Sequence, residues 1–208
     1  MALCLWLWAA SAGATAAAPV IVVLGDSISA GYGLGDRAGW VELLQQRLRR
    51  GGQPHRVVNA SISGDTTRAA LGRVDQLLRR HQPAIVIIEL GGNDGLRGLP
   101  LQALTHNLEQ IVERSLQHNA AVLLVGMRLP PNYGALFNRA FEGVYRSLAE
   151  RYPIQWLPFL FEGFAADQSQ FQRDGIHPRA SAQTVMLDSV WRYLAPMLEN
   201  RSVKPAAR

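Results

Sequence analysis

Apolar residues along this chain follow two rhythms. Five short runs, over 20–24, 56–59, 84–90, 121–127 and 154–157, concentrate the β-branched and aliphatic side chains. Three of them are continuous rather than alternating, the pattern of strands buried on both faces of a parallel sheet. Between the runs the spacing turns helical. Leu101, Leu104, Leu108, Ile111 and Val112 share one face, as do Phe137, Phe141, Val144, Tyr145 and Leu148. Val74, Leu77 and Leu78 mark another helix, and Val185, Met186, Tyr193, Leu194 and Met197 a final one. Alternation of this kind predicts an α/β protein, a three-layer α/β/α sandwich of about five parallel strands joined by right-handed crossovers. A sheet so built takes its ligands beyond the carboxyl ends of its strands, so chemistry is to be sought in the loops after the runs.

Composition narrows the picture. With 208 residues, 48% hydrophobic and 18% charged, the chain can build one domain with a sizeable core, and it is too apolar for a disordered tail. The formal charge is +5, and Lys204 is the only lysine. Arginines stand singly or in pairs, such as Arg49 with Arg50 and Arg79 with Arg80, so no nucleic-acid partner is expected. Residues 1–18 differ from the rest: apolar from Leu3 to Ala10, then small, with no charged side chain before Asp26. That is the layout of a secretory signal, cleaved after Ala16 with Ala18 the alternative. It is short for a span of ~20 residues, so the expectation is an exported, periplasmic or secreted monomer with one domain over 19–208 and no stable membrane insertion. Cys4, the only cysteine, lies in that segment, which leaves the mature chain without a disulfide or a thiolate nucleophile. The tail from Arg201 is expected to fray.

Four loops carry unusual residues. After the first run stands Gly25-Asp26-Ser27-Ile28-Ser29, and after the second Ser61-Ile62-Ser63-Gly64-Asp65. Gly91-Gly92-Asn93-Asp94 follows the third, and Asp174-Gly175-Ile176-His177-Pro178 precedes the last helix. Singly, each has an ordinary reading. Ser27 suits a helix N-cap, Gly64 a turn with positive φ, Asn93 an Asx-turn, and Asp174 and His177 an exposed loop. Together and in this order, the blocks resemble the SGNH branch of the GDSL esterase/lipase superfamily, whose signature residues are a serine, a glycine, an asparagine and a histidine. Further stretches, Ser29-Ala30-Gly31-Tyr32-Gly33, Asn93-Asp94-Gly95-Leu96-Arg97-Gly98 and Pro131-Asn132-Tyr133-Gly134, are similar to its small periplasmic thioesterase/lysophospholipase/arylesterase subgroup. The likeness covers essentially all of 19–208.

The resemblance implies a flavodoxin-like topology and a serine hydrolase that needs no metal or cofactor. Its substrates would be small-molecule or lipid esters: aryl esters, lysophospholipids and acyl thioesters. A serine hydroxyl attacks an acyl carbon only when a neighbouring base takes its proton, and His177 supplies that base for Ser27. Asp174 would hold the imidazole in the right tautomer. For the oxyanion hole the resemblance assigns the backbone N–H groups of Ser27 and Gly64 and the side-chain amide of Asn93. An exported enzyme meets oxygen esters more readily than cytosolic acyl-CoA, which favours the former. Deacetylation of an envelope polysaccharide is an alternative within the class. A non-catalytic flavodoxin-like module holding phosphate or flavin is an alternative outside it, and such a module has no use for His177.

The remaining polar residues have simpler expected duties. Asp26 is read as a structural carboxylate, Asp65 as the N-cap of the helix reaching Arg80, and Asp94 as a loop-ordering group. His55, His81, His106 and His118 are scattered, with none at ligand spacing to another, which argues against a zinc site. Gly31-Tyr32-Gly33-Leu34-Gly35 has the composition of a phosphate loop without its spacing. For substrate binding the candidates are Leu96, Leu99, Pro131 and Tyr133. Either Gly95 and Gly98 hinge the 95–100 loop as a lid over the acyl chain, or the loop is a surface turn with Leu99 packed into the core.

Overall fold

The computed structural model describes residues 17–35, 37 and 39–202, without the side chains of 200–202. The segment 1–16, with Cys4 and the expected cleavage point after Ala16, and the tail 203–208 lie outside the described residues. In chain order the main elements are β1 (Val20–Gly25), α1 (Ser27–Ala30), α2 (Trp40–Arg50), β2 (Arg56–Asn59), α3 (Thr67–His81) and β3 (Ile85–Glu89). They continue with α4 (Gly92–Leu96), α5 (Leu101–Gln117), β4 (Ala121–Val125), α6 (Ala135–Arg151), β5 (Gln155–Leu157) and α7 (Gln183–Ser202).

The strands form one parallel sheet in the order β2-β1-β3-β4-β5. This is the doubly wound flavodoxin-like arrangement. Each continuous apolar run is now explained by what its two faces touch. Ile21, Val23, Ile85, Ile87, Leu123 and Val125 point into a core shared with α2 and α7. Their neighbours Leu24, Val86, Ile88, Val122 and Leu124 point into a second core, shared with α3, α5 and α6. With side chains alternating every residue, only a strand apolar throughout can serve both.

The helices predicted from spacing are present, with two differences. α2 was not singled out, although Trp40, Val41, Leu44 and Leu48 are all buried at helical spacing. Its start is fixed by Trp40 N–H donating to Gln183 Oε1 of α7 at 2.9 Å. In α7 the buried face runs through Met186, Leu187, Val190, Leu194, Met197 and Leu198, whereas Val185 is 39% exposed. Val185 therefore sits one position outside the stripe expected to hold it.

Candidate active site

β1 ends at Gly25 and the chain turns at once into the single helical turn α1. Asp26 caps that turn, its Oδ1 accepting from the Ile28 N–H at 3.0 Å. Ser27 is thus the first helical residue rather than the cap. Neighbouring strands fasten the turn: Asn59 Nδ2, at the end of β2, donates to the Ser29 carbonyl at 2.8 Å. Ser29 Oγ donates to Glu89 Oε2, at the end of β3, at 2.6 Å.

The histidine is carried by the loop that precedes α7. A bridge between Phe171 and Pro178 closes a loop around 172–177, reinforced by Gln172 N–H donating to the His177 carbonyl at 2.8 Å. Inside the loop Asp174 Oδ1 accepts from the N–H groups of Ile176 and His177, at 2.9 and 3.0 Å. Its Oδ2 lies 2.8 Å from His177 Nδ1, and His177 Nε2 lies 2.9 Å from Ser27 Oγ. Partial burial pushes the Asp174 carboxyl up, but the N–H bonds from His177 and Ile176 and the imidazole itself outweigh it and hold Asp174 below the usual carboxylate range. An ionised Asp174 suits an imidazole that must accept a proton at its far nitrogen. The Tyr32 ring covers His177 at a centroid distance of 4.5 Å.

The three expected oxyanion donors line one cavity with the serine hydroxyl. Gly64 has φ 84°, a left-handed conformation open to glycine without strain. Among the described residues neither its N–H nor that of Ser27 has a protein acceptor. The Asn93 amide is placed differently, with Nδ2 3.0 Å from both Asp26 Oδ2 and the Asp65 carbonyl. Both of its protons are therefore committed, and an oxyanion would have to share one of them. Asp26 is structural, as expected, but it also fixes Asn93. Its pKa is raised to about 6, because burial outweighs the stabilising Ile28 N–H, His177 and Asn93. Asp65 does not cap α3. Thr66 does, accepting from the Ala69 N–H, while Asp65 pairs with Arg73 at 2.7 Å. Asp94 ties the start of α4 to the start of α3, accepting from the Thr67 N–H at 2.9 Å and its hydroxyl at 2.6 Å.

These groups open onto a cavity of about 730 Å³ whose lining includes Ser27, Gly64, Asn93 and His177. Of the four candidate substrate residues, Leu96 and Pro131 line it, while Leu99 and Tyr133 do not. Leu99 is 37% exposed, so it neither lines the cavity nor packs into the core. Tyr133 instead spends its hydroxyl on the Leu96 carbonyl, at 2.9 Å. Gly95 is no hinge: it lies inside α4, and a Cβ there would come within 2.6 Å of Leu129 and 2.8 Å of Phe141. Most of the apolar wall was missed, namely Met127, Phe159, Phe161, Phe171 and Ile176. The available signal was position, since Phe159 and Phe161 lie in the loop just after β5.

A doubly wound domain with serine, histidine and aspartate hydrogen-bonded in series at its strand ends has the architecture of a serine-type hydrolase. The chain belongs to the GDSL-like lipase/acylhydrolase family, whose model matches residues 23–185, and it is an acyl-ester hydrolase. It is 48% identical over 183 residues to esterase TesA of Pseudomonas aeruginosa, covering 88% of this chain and 91% of that one. It is 42% identical over 187 residues to thioesterase 1/protease 1/lysophospholipase L1 of Escherichia coli K12, covering 90% and 88% respectively. A solved structure of TesA superposes with a TM-score of 0.84 at 47% identity, over 86% of this chain and 99% of that one.

Proposed function

We propose that the chain cleaves carboxylic esters and thioesters through an acyl-enzyme, with Ser27 as nucleophile, His177 as proton carrier and Asp174 as its orienting carboxylate. The observation that carries this is the unbroken series Ser27 Oγ, His177 Nε2, His177 Nδ1, Asp174 Oδ2, with links of 2.9 and 2.8 Å. As Ser27 Oγ bonds to the acyl carbon, its proton passes to His177 Nε2. The carbonyl oxygen becomes an oxyanion facing the free N–H groups of Ser27 and Gly64 and the shared amide of Asn93. Collapse breaks the bond to the leaving oxygen or sulfur, which takes the proton from His177. Water then repeats the sequence and releases the acid.

The apolar cavity favours substrates with an aryl or acyl group to bury, such as aryl esters, lysophospholipids and acyl thioesters, over acetylated polysaccharide. A phosphate- or flavin-binding module would leave the Ser27–His177 contact without a purpose. With residues 1–18 read as an export signal, the enzyme works in the periplasm or beyond, where oxygen esters are the commoner encounter. An active-site organophosphonate tests the mechanism. Stoichiometric labelling of Ser27, with none in His177→Ala, is expected, and labelling elsewhere or turnover by folded Ser27→Ala would falsify the acyl-enzyme.

A further inference from the structure

Beneath the nucleophile turn lies a carboxyl group that this chemistry leaves unused. Glu89, the last residue of β3, is fully buried and in register with Gly25 of β1. The two are matched. A Cβ on Gly25 would lie 2.8 Å from Glu89 Oε2 and 2.8 Å from Ser29 Oγ, so the glycine of the Gly-Asp-Ser block makes room for this carboxyl. Glu89 Oε2 meets Ser29 Oγ at 2.6 Å, while Oε1 is buried and, among the described residues, without a well-formed hydrogen bond, the backbone N–H groups of Asp26 and Ser29 favouring the charged carboxyl only weakly. An ionised carboxylate here would leave an anionic oxygen poorly compensated in the interior. A neutral acid avoids that. With the proton on Oε2 the short bond reverses and Ser29 accepts, and Oε1 becomes an uncharged carbonyl oxygen.

We propose that Glu89 is held as a neutral carboxylic acid and acts as a positioning residue for the nucleophile turn, fastening Ser29 so that Ser27 keeps its place against His177, and that its ionisation sets an alkaline limit on turnover. The part concerning Ser27 rests on the acyl-enzyme reading. The neutral state of Glu89 does not.

Other ionisable groups around it work in the same direction. Asp26 follows Gly25 directly, and Asp94 and Tyr145 face the same region from α4 and α6. Burial and then the Asp26 charge push the Glu89 carboxyl well above the usual carboxylate range, outweighing the Ser29 hydroxyl and the Asp26 and Ser29 N–H groups that favour its charged form. Burial followed by the charges of Asp94, Glu89 and Asp26 raises Tyr145 as well, so it stays a phenol donating to the Leu90 carbonyl at 2.9 Å. His177 favours the charged form of Asp26, and Asp65 opposes it. One proton thus serves two carboxyls, staying on Glu89 while Asp26 ionises to hold Asn93. Removing it sets two anions against each other on either side of Gly25. The turn carrying Ser27 and the amide of Asn93 are both attached to that pair.

The test compares pH profiles of kcat/KM for wild type and Glu89→Gln on one aryl ester, with 13C NMR of wild type labelled at glutamate Cδ. Glutamine keeps the size and can donate to Ser29, so its neutral-pH rate should stay within about threefold of wild type. Its alkaline decline should move up by about a pH unit or vanish. One glutamate Cδ resonance of wild type should hold the neutral-acid position at pH 7. An unchanged alkaline limb in the variant, or a loss beyond about tenfold at neutral pH in folded protein, overturns the positioning role. If Glu89→Gln fails to fold, the NMR titration still decides, because ordinary titration of every glutamate overturns the neutral acid. Failure of Ser27 to take the organophosphonate strikes only the acyl-enzyme reading.

Discussion

The loops after β1, β2 and β3 are held by hydrogen bonds between polar groups, several of them buried: Asp26 to Ile28 and Asn93, Ser29 to Glu89, Asp94 to Thr67. So is the catalytic loop 172–177, where Asp174 accepts from Ile176 and His177, whereas the segments that follow β4 and β5 ahead of that loop are held mainly by packing. Phe161, Phe164 and Phe171 contact one another at centroid distances of 5.4 to 5.7 Å, and Phe159 lies 5.6 Å from Phe161 under the Arg128 guanidinium. The difference matches what each side must do. An oxyanion donor needs its direction fixed, which hydrogen bonds supply, whereas an acyl chain asks only for apolar area of roughly the right shape. Substitutions on the polar side should therefore act on kcat in large steps, and those on the aromatic side should grade the response to substrate size.

The largest effects test whether the polar side carries the chemistry. Ser27→Ala and His177→Ala should each lower kcat by on the order of 10³-fold or more with the fold intact by circular dichroism. Next comes Asn93→Ala, expected to lower kcat about 10²-fold with KM little changed. A raised KM with unchanged kcat would make Asn93 a substrate contact instead, and the two sides would no longer differ in kind.

Asp26 offers a test through stability. Its folded pKa of about 6 stands above the ordinary 3.8, so the native state binds this proton more tightly than the unfolded chain. Its contribution is most favourable below pH 3.8 and is lost as pH rises to about 6, for a total of about 3 kcal/mol. Asp26→Asn removes that titration while also weakening the contact with Asn93. The Tm of the variant relative to wild type should therefore climb between pH 4 and 6.5, whatever the offset at pH 4. A constant difference would mean that Asp26 is not strained by ionisation.

The polar side was also the legible one. Ser27, Gly64, Asn93, Asp174 and His177 are uncommon in their combination, and the strand-end rule places them on one edge of the sheet. Glu89 escaped because a glutamate ending an apolar run looks like any strand terminus. Only its burial beneath Gly25 gives it meaning. The wall escaped for a different reason, since Phe159, Phe161 and Phe171 read as ordinary core until the path of the 158–171 segment is known. α2 was hidden by charged residues, such as Arg47, Arg49 and Arg50, that dilute its apolar stripe.

On the aromatic side, Phe159→Ala should flatten the dependence of kcat/KM on acyl length. Wild type should gain up to about 0.8 kcal/mol per buried methylene, close to fourfold, until the cavity is filled. The variant loses a wall, so its slope should be shallower while the rate on an acetyl ester stays within about threefold. Equal slopes would show that the acyl chain lies elsewhere.

The smallest effect concerns Tyr133, which the sequence placed in the crevice and the structure places behind it. Its hydroxyl ties η1 (Pro131–Tyr133) to the Leu96 carbonyl, and Leu96 is a wall residue. The contact therefore joins the turn after β4 to the end of α4 and sets the position of Leu96 indirectly. Tyr133→Phe removes one neutral hydrogen bond and leaves a partly buried carbonyl short of a donor, a loss of about 1 kcal/mol. For a domain of this size that lowers Tm by about 2–4 °C. Because the ring does not reach the cavity, kcat/KM should fall by less than about threefold and by the same factor for every acyl length. A fall that grows with chain length would mean that the 95–100 loop moves and brings Tyr133 onto the substrate, restoring the lid that the packing of Gly95 argues against.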